Sequence, residues 1–295
     1  MIQFPLFKAQ TEWLPPENFP DLSKYSEIAI DLETKDPDLV KMGSGSVAGR
    51  GDVTGIAVAV KGWSAYYPIA HEGGGNMDRN KVLKWFQAVL NTDSIKIFHN
   101  AMYDVCWIKT LGLKINGKIV DTMIAAAIVD ENQMRYDLNS CSRRYIGYGK
   151  DESALYQAAK DWGVDAKAEM YKLPAMYVGA YAEKDAELTY ELWQELKKEI
   201  LHQDLNSIFD LETELFPCLV DMRFLGVRVD VEQAHKLKEE LHKEEKELLK
   251  IVKKETQVDV QIWAARSIAQ VFEKLRLPFD RTEKTNSPSF TKNFL

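Results

Sequence analysis

Four acids in three separated segments have the types and spacing to do chemistry: Asp31 and Glu33 in EIAIDLET, Asp104 in IFHNAMYDVCWI, and Asp185 in YAEKDAELTYELW. Each lies in a stretch that is otherwise apolar enough to be buried. An isolated ionised carboxylate away from water is costly, so such groups are paired or bind metal. No comparable cluster of buried-looking Lys or Arg stands beside them in the sequence, which points to divalent cations. Oxygen-only ligands favour Mg²⁺ or Mn²⁺ over zinc. Two such ions about 3.5–4 Å apart can clamp the attacking and leaving oxygens of a phosphoryl displacement. Tyr181 precedes Asp185 by one helical turn, shares its face and is placed to orient an attacking water.

Taken singly, each group has an ordinary explanation. An Asp-x-Glu at a strand end is commonly a solvated turn, and an acid in a first helical turn complements the helix dipole. Their common order and context, not any one of them, carries the inference.

The elements that must position these acids can be read from periodicity. Residues 27–33 alternate as a strand, with Ile28, Ile30 and Leu32 on one face and Asp31 and Glu33 on the other. A Gly- and Ser-rich loop comes next, and VTGIAVAV and WSAYYPIA continue an antiparallel meander. Asp78 is placed to cap the helix RNKVLKWFQAVL. SIKIFH returns to strand, and Asn100 stands at the N-cap of AMYDVCWIKTL. A long helix is expected over about 175–201, with Asp185 in its apolar stripe. HKLKEELHKEEKELLKIVKKET reads as a long, solvated, charged helix.

Bulk properties narrow the class. A chain of 295 residues suits one large domain or two smaller ones, and 45% hydrophobic with 28% charged residues is a globular composition. The net charge of −7 argues against coating duplex nucleic acid through phosphate neutralisation. It leaves room for an enzyme that grips one strand end through bound cations. No apolar run is long enough for a membrane span, and MIQFPLFKAQTEWLPP lacks the pattern of a secretory signal. Cys106, Cys141 and Cys218 are odd in number and widely spaced, which fits a reducing compartment.

DLET, HNAMYD and YAEKDAELT resemble the three motifs of the DEDD superfamily of 3′–5′ exonucleases. Tyr181 matches the tyrosine subtype; the histidine subtype would place His where this chain has Ala180. IVDTMIAAAIVD and DLNSCSRRYIG resemble the segment between the second and third motifs. FPCLVDMRFLGVRVD resembles the junction where a family A (DNA polymerase I-like, phage-type) polymerase leaves its exonuclease domain. FEKLRLPFDRTEKTNSPSFTKNFL resembles the base of the polymerase thumb.

That resemblance implies an α/β, ribonuclease-H-like exonuclease domain over residues 1–205, with a mixed central sheet flanked by helices. A helical region over 206–295 would be the start of a polymerase domain. The palm acids would lie downstream of Leu295, so polymerase activity is not expected of this chain alone. It would be a fragment or a separately encoded half. The implied reaction is metal-dependent hydrolysis at single-stranded or frayed DNA 3′ ends, serving to proofread. Asp31, Glu33 and Asp185 would hold one of two Mg²⁺ or Mn²⁺ ions, with Asp31 bridging to a second that Asp104 supports. Tyr181 would orient the nucleophile, and Leu32, Thr34, Asn100 and Tyr103 would meet the terminal nucleotide. The remaining polymerase domain or subunit is the implied partner. The cytoplasm, of a bacterial host if phage-encoded, is the implied location. A ribonuclease D-like RNA nuclease and a non-catalytic scaffold are the alternatives. The polymerase-like C-terminal part speaks against the first, and the retained acids against the second.

Overall fold

Alternating Ile28, Ile30 and Leu32 are all buried, and they anchor strand β1 (Glu27–Lys35) at the centre of a five-stranded sheet. The computed structural model describes residues 11–291, so residues 1–10 of the segment predicted to lack a secretory signal lie outside the described residues. After a short helix α1 (Leu39–Met42), β2 (Asp52–Val60) and β3 (Trp63–Pro68) form the expected antiparallel meander on β1. Helix α2 (Arg79–Leu90) is next, with Asp78 accepting from Lys81 N as the predicted cap. Strand β4 (Ile95–Phe98) returns parallel to β1, helix α3 (Ala101–Thr110) succeeds it, and β5 (Ile119–Asp121) pairs parallel to β4. The sheet order is β3-β2-β1-β4-β5. This mixed sheet flanked by helices is the expected ribonuclease-H-like arrangement.

Helices α4 (Thr122–Val129), α5 (Leu138–Tyr145), α6 (Ser153–Trp162) and α7 (Gly179–His202) cover one face of the sheet. Helices α2, α3 and α8 (Asn206–Leu225) cover the other. The face under α7 presents small residues, Ala29, Ala57 and Ala59, so the helix can lie close to β1 and β2. That is the face Asp31 and Glu33 share. The long helix expected from residue 175 is broken: Ala175–Tyr177 is a 3₁₀ turn, and α7 begins at Gly179. A Cβ at Gly179 would stand 2.0 Å from the Trp13 indole, which packs on the helix start.

Two compact units divide after Gly226. The predicted boundary after residue 205 falls before α8, yet α8 buries Phe209, Phe216 and Val220 and stacks Phe209 on Trp193. Apolar burial therefore ties α8 to the first unit. The second unit comprises α9 (Val231–Thr256), capped by Asp230 onto Gln233 N, α10 (Ala265–Leu275) and a hairpin of β6 (Asp280–Arg281) and β7 (Pro288–Ser289). Leu241, Leu248 and Val252 of α9 line a cleft with Ile262, Ile268 and Val271. Among the described residues no helix is long and apolar enough to cross a membrane.

Candidate active site

Strand β1 outruns its parallel neighbour. It pairs with β4 only over Glu27–Ala29, so Asp31 and Glu33 project past the end of β4, where α3 begins. On the other side Asp31 faces Ala57 and Glu33 faces Gly55, and the register shifts between Glu33 and Thr34. Such a bulge bends and twists the strand and re-aims the side chains beyond it. The next side chain, Thr34, turns to meet the Tyr103 hydroxyl at 2.6 Å, and Tyr103 donates on to Asp36 Oδ2 at 3.2 Å.

Asp104 is buried in the first turn of α3, where its Oδ1 accepts from Leu32 N at 2.9 Å. The start of α3 is held by a residue the sequence did not single out. Asp121 accepts from Asn100 N at 3.0 Å, Ala101 N at 2.8 Å and Met123 N at 2.8 Å. Asn100 occupies the N-cap position, but in a left-handed conformation (φ 66°) and without a side-chain cap bond. Asparagine tolerates that conformation better than most residues. Its side chain is left exposed.

Helix α7 closes the site. One carboxylate oxygen each from Asp31, Glu33 and Asp185 lie within 4.8 Å of one another, whereas Asp104 stands back against β1. Asp185 is buried, and its Oδ1 has no hydrogen-bond partner among the described residues. Its Oδ2 accepts from Lys150 Nζ at 2.7 Å. Lys150 also reaches the Tyr181 hydroxyl at 2.9 Å, and Lys167 reaches the same hydroxyl at 3.1 Å. The expectation that no buried cation accompanies the acids is therefore corrected. Lys150 comes from the loop between α5 and α6, 35 residues from Asp185, and no local pattern marks it.

The electrostatics arise from crowding three acids away from water. Burial first, and then the charge of Asp185, push the Asp31 carboxyl up to about 7, against the pull of Lys150 and Lys167. Burial and the charges of Asp31 and Asp185 drive Glu33 well above the usual range. Asp104 is driven up by burial and by Asp31, against the Leu32 N–H. Asp185 is also raised, because burial outweighs Lys150. Burial and the Asp185 charge hold the Tyr181 phenol protonated. Both lysines donate to the phenol oxygen. A set of oxygen donors that repel one another, with one oxygen unpartnered, fits a hard divalent cation.

Glu33 has a supporting layer behind it. Burial and the Glu33 charge raise the Tyr66 phenol well up, so it stays protonated and donates to His71 Nε2 at 2.6 Å. His71 Nδ1 in turn donates to the Leu173 carbonyl at 3.1 Å. His99 is tied between Thr122 and the Tyr136 carbonyl, and burial lowers it to about 4. Both ring nitrogens are engaged in structural hydrogen bonds. Of the predicted nucleotide contacts, Thr34 and Tyr103 are joined beside the acids and Asn100 is exposed at the start of α3. The Leu32 side chain lies in the core on the opposite face of β1, with only its backbone turned to Asp104.

A family model described as 3′–5′ exonuclease matches residues 9–201. The chain belongs to the 3′–5′ exonuclease family of the family A DNA polymerases. A DNA-directed DNA polymerase of Pseudomonas phage M6 is 33% identical over 309 residues, covering 100% of this chain and 46% of the relative. DNA polymerase I of Pseudomonas aeruginosa is 26% identical over 278 residues, covering 89% of this chain and 28% of the relative. The chain thus spans less than half the length of these curated relatives. Among solved structures, the POL domain of Pol1 from M. smegmatis in complex with DNA primer-template and dNTP superposes with a TM-score of 0.62. It is 16% identical and covers 91% of this chain and 41% of its own, a likeness of fold. The family implies a 3′–5′ nuclease that uses divalent metal, and this exonuclease carries an acid cluster suited to it.

Proposed function

We propose that this exonuclease hydrolyses the terminal phosphodiester of DNA 3′ ends, releasing nucleoside monophosphates, as the proofreading part of a family A polymerase. The observation that carries this reading is the convergence of Asp31, Glu33 and Asp185 beside a protonated Tyr181, with Asp185 Oδ1 unpartnered. Asp31, Glu33 and Asp185 would hold one of two Mg²⁺ or Mn²⁺ ions, and Asp104 would support the second. When bound, the ions activate water and neutralise charge on the phosphate. Tyr181 orients the attacking water through its hydroxyl. Thr34 and Tyr103 set the floor for the terminal sugar, Asn100 meets it from the start of α3, and Leu32 acts through its backbone.

An unpaired end fits because a narrow acidic site admits a single strand, and unpairing costs least at a mismatch. Residues 227–295 form the beginning of the polymerase region, and the rest of that polymerase is the partner. The test uses a 5′-labelled single strand with Mg²⁺ or Mn²⁺, then with chelator, for wild type and Asp185→Ala. A ladder shortening from the 3′ end, lost with chelator and in the variant, is expected. Rapid hydrolysis by a well-folded Asp185→Ala protein sinks the assignment, and digestion of RNA with little of DNA moves it to a ribonuclease D-like role.

A further inference from the structure

Lys150 is built into the site rather than resting near it. Lys150 N donates to Asn139 Oδ1 of α5 at 3.2 Å. A Cβ at Gly149 would come within 1.9 Å of that same oxygen, so the turn closes onto α5 because residue 149 is glycine. The lysine side chain is then delivered between Asp185 and the Tyr181 ring, 4.5 Å from the ring centre. The Lys150 side chain is 11% exposed and that of Asp185 8%, so water and salt screen this pair little. Its other acid neighbour, Glu152 at 3.5 Å, is already engaged by Lys167. One oxygen of Asp185 thus carries an ammonium and the other carries nothing among the described residues.

A divalent cation and an ammonium cannot both draw fully on one carboxylate, since each repels the other across it. We propose that Lys150 is a displaceable counter-ion, which holds Asp185 in the metal-free enzyme, yields it to the divalent cation, and takes the phosphodiester of the strand end as its new partner. This inference rests on the metal reading given under Proposed function. Because the backbone at 149–150 is fixed to α5, the freed ammonium stays beside the site. A phosphate oxygen there offers it a charge-assisted bond as strong as the one it gave up. Lys150 thereby weakens metal binding to the empty enzyme and couples metal to strand. By thermodynamic reciprocity, each of the two ligands then tightens the other.

The test measures Mn²⁺ binding to the whole chain by calorimetry and electron paramagnetic resonance. Wild type, Lys150→Met and Lys150→Arg are compared with and without a single-stranded DNA oligonucleotide carrying a nuclease-resistant phosphorothioate 3′ end. Without oligonucleotide, Lys150→Met should bind Mn²⁺ roughly 5- to 50-fold more tightly than wild type, within the usual range of coupling. The oligonucleotide should tighten Mn²⁺ binding by a larger factor in wild type and Lys150→Arg than in Lys150→Met, where only the direct metal–phosphate contact couples the two. Equal or weaker Mn²⁺ affinity in a folded Lys150→Met protein overturns the inference. Absence of Mn²⁺ binding by wild type overturns the metal reading itself, so the two failures are distinguishable. Should Lys150→Met not fold, Asn139→Ala releases the turn and is measured in the same way. A shift in the same direction supports the counter-ion role, and unchanged affinity overturns it.

Discussion

Gly55 lies directly opposite Glu33 in the β1–β2 ladder, and the Tyr66 hydroxyl fills the space a side chain at 55 would need. A Cβ there would stand 1.9 Å from that hydroxyl, so Gly55→Ala must push Tyr66 off His71 and disturb the layer behind Glu33. Overpacking of this kind costs about 1–3 kcal/mol. Urea unfolding should report that loss, and calorimetry should show weaker Mn²⁺ binding. Wild-type stability in Gly55→Ala would mean that Tyr66 can move without consequence.

His71 predicts a pH dependence. Burial, against the Leu173 carbonyl, lowers it from 6.5 to about 4, so the folded protein holds it neutral. Between these values the unfolded chain binds the proton and the folded one does not. Its stabilisation is therefore complete above pH 6.5 and is lost as pH falls toward 4. A shift of that size corresponds to about 3 kcal/mol. Thermal melts of wild type and His71→Gln across about pH 4–8, the span in which this linkage acts, should show a wild-type advantage near neutrality that shrinks steadily on acidification. A constant gap would show that His71 titrates alike in both states.

What was readable in the sequence was what local periodicity encodes. Two-residue alternation placed Asp31 and Glu33 on one strand face, and four-residue spacing placed Tyr181 with Asp185 on one helix face; both hold in the structure. Asp104 was correctly set in a helix after a strand, but its retreat to the Leu32 N–H depends on where β1 outruns β4, a fact of pairing. Lys150, Lys167 and Asp121 were missed because their contacts are long in sequence and surround groups with no repeating signature. The helix break at Val178 was missed for a like reason, since Trp13 meets Gly179 only once the chain has folded.

The crowding of acids makes a prediction of opposite sign to that of His71. Asp31 sits at about 7 in the folded protein against 3.8 as its ordinary value, so the folded state binds the proton more strongly. Its stabilisation is complete below pH 3.8 and is lost as pH rises through about 7. At about pH 8 in chelator, above both values, Asp31→Asn should therefore melt higher than wild type. The gain should be roughly 2–4 °C for each kcal/mol of relieved repulsion. Adding Mn²⁺ should raise the wild-type midpoint and move that of Asp31→Asn little, since only a ligand bound to the folded state stabilises it. A lower midpoint for Asp31→Asn in chelator would show that Lys150 and Lys167 already neutralise the cluster.

Asp121 should matter to activity without touching substrate. Its two oxygens accept three backbone N–H groups, two at the start of α3 and one in α4, and so fix the helix that carries Asp104. Asp121→Ala leaves those donors unpaired in a buried setting, at a cost of about 3 kcal/mol or more. Asp121→Asn keeps one acceptor oxygen and should fall between Ala and wild type. If α3 is thereby loosened, Asp104 drifts from β1 while Asp31, Glu33 and Asp185 remain together. Turnover should then fall with little change in KM at temperatures where both variants are fully folded. Unchanged turnover in folded Asp121→Ala would show that Leu32 N–H alone suffices to hold Asp104 in register.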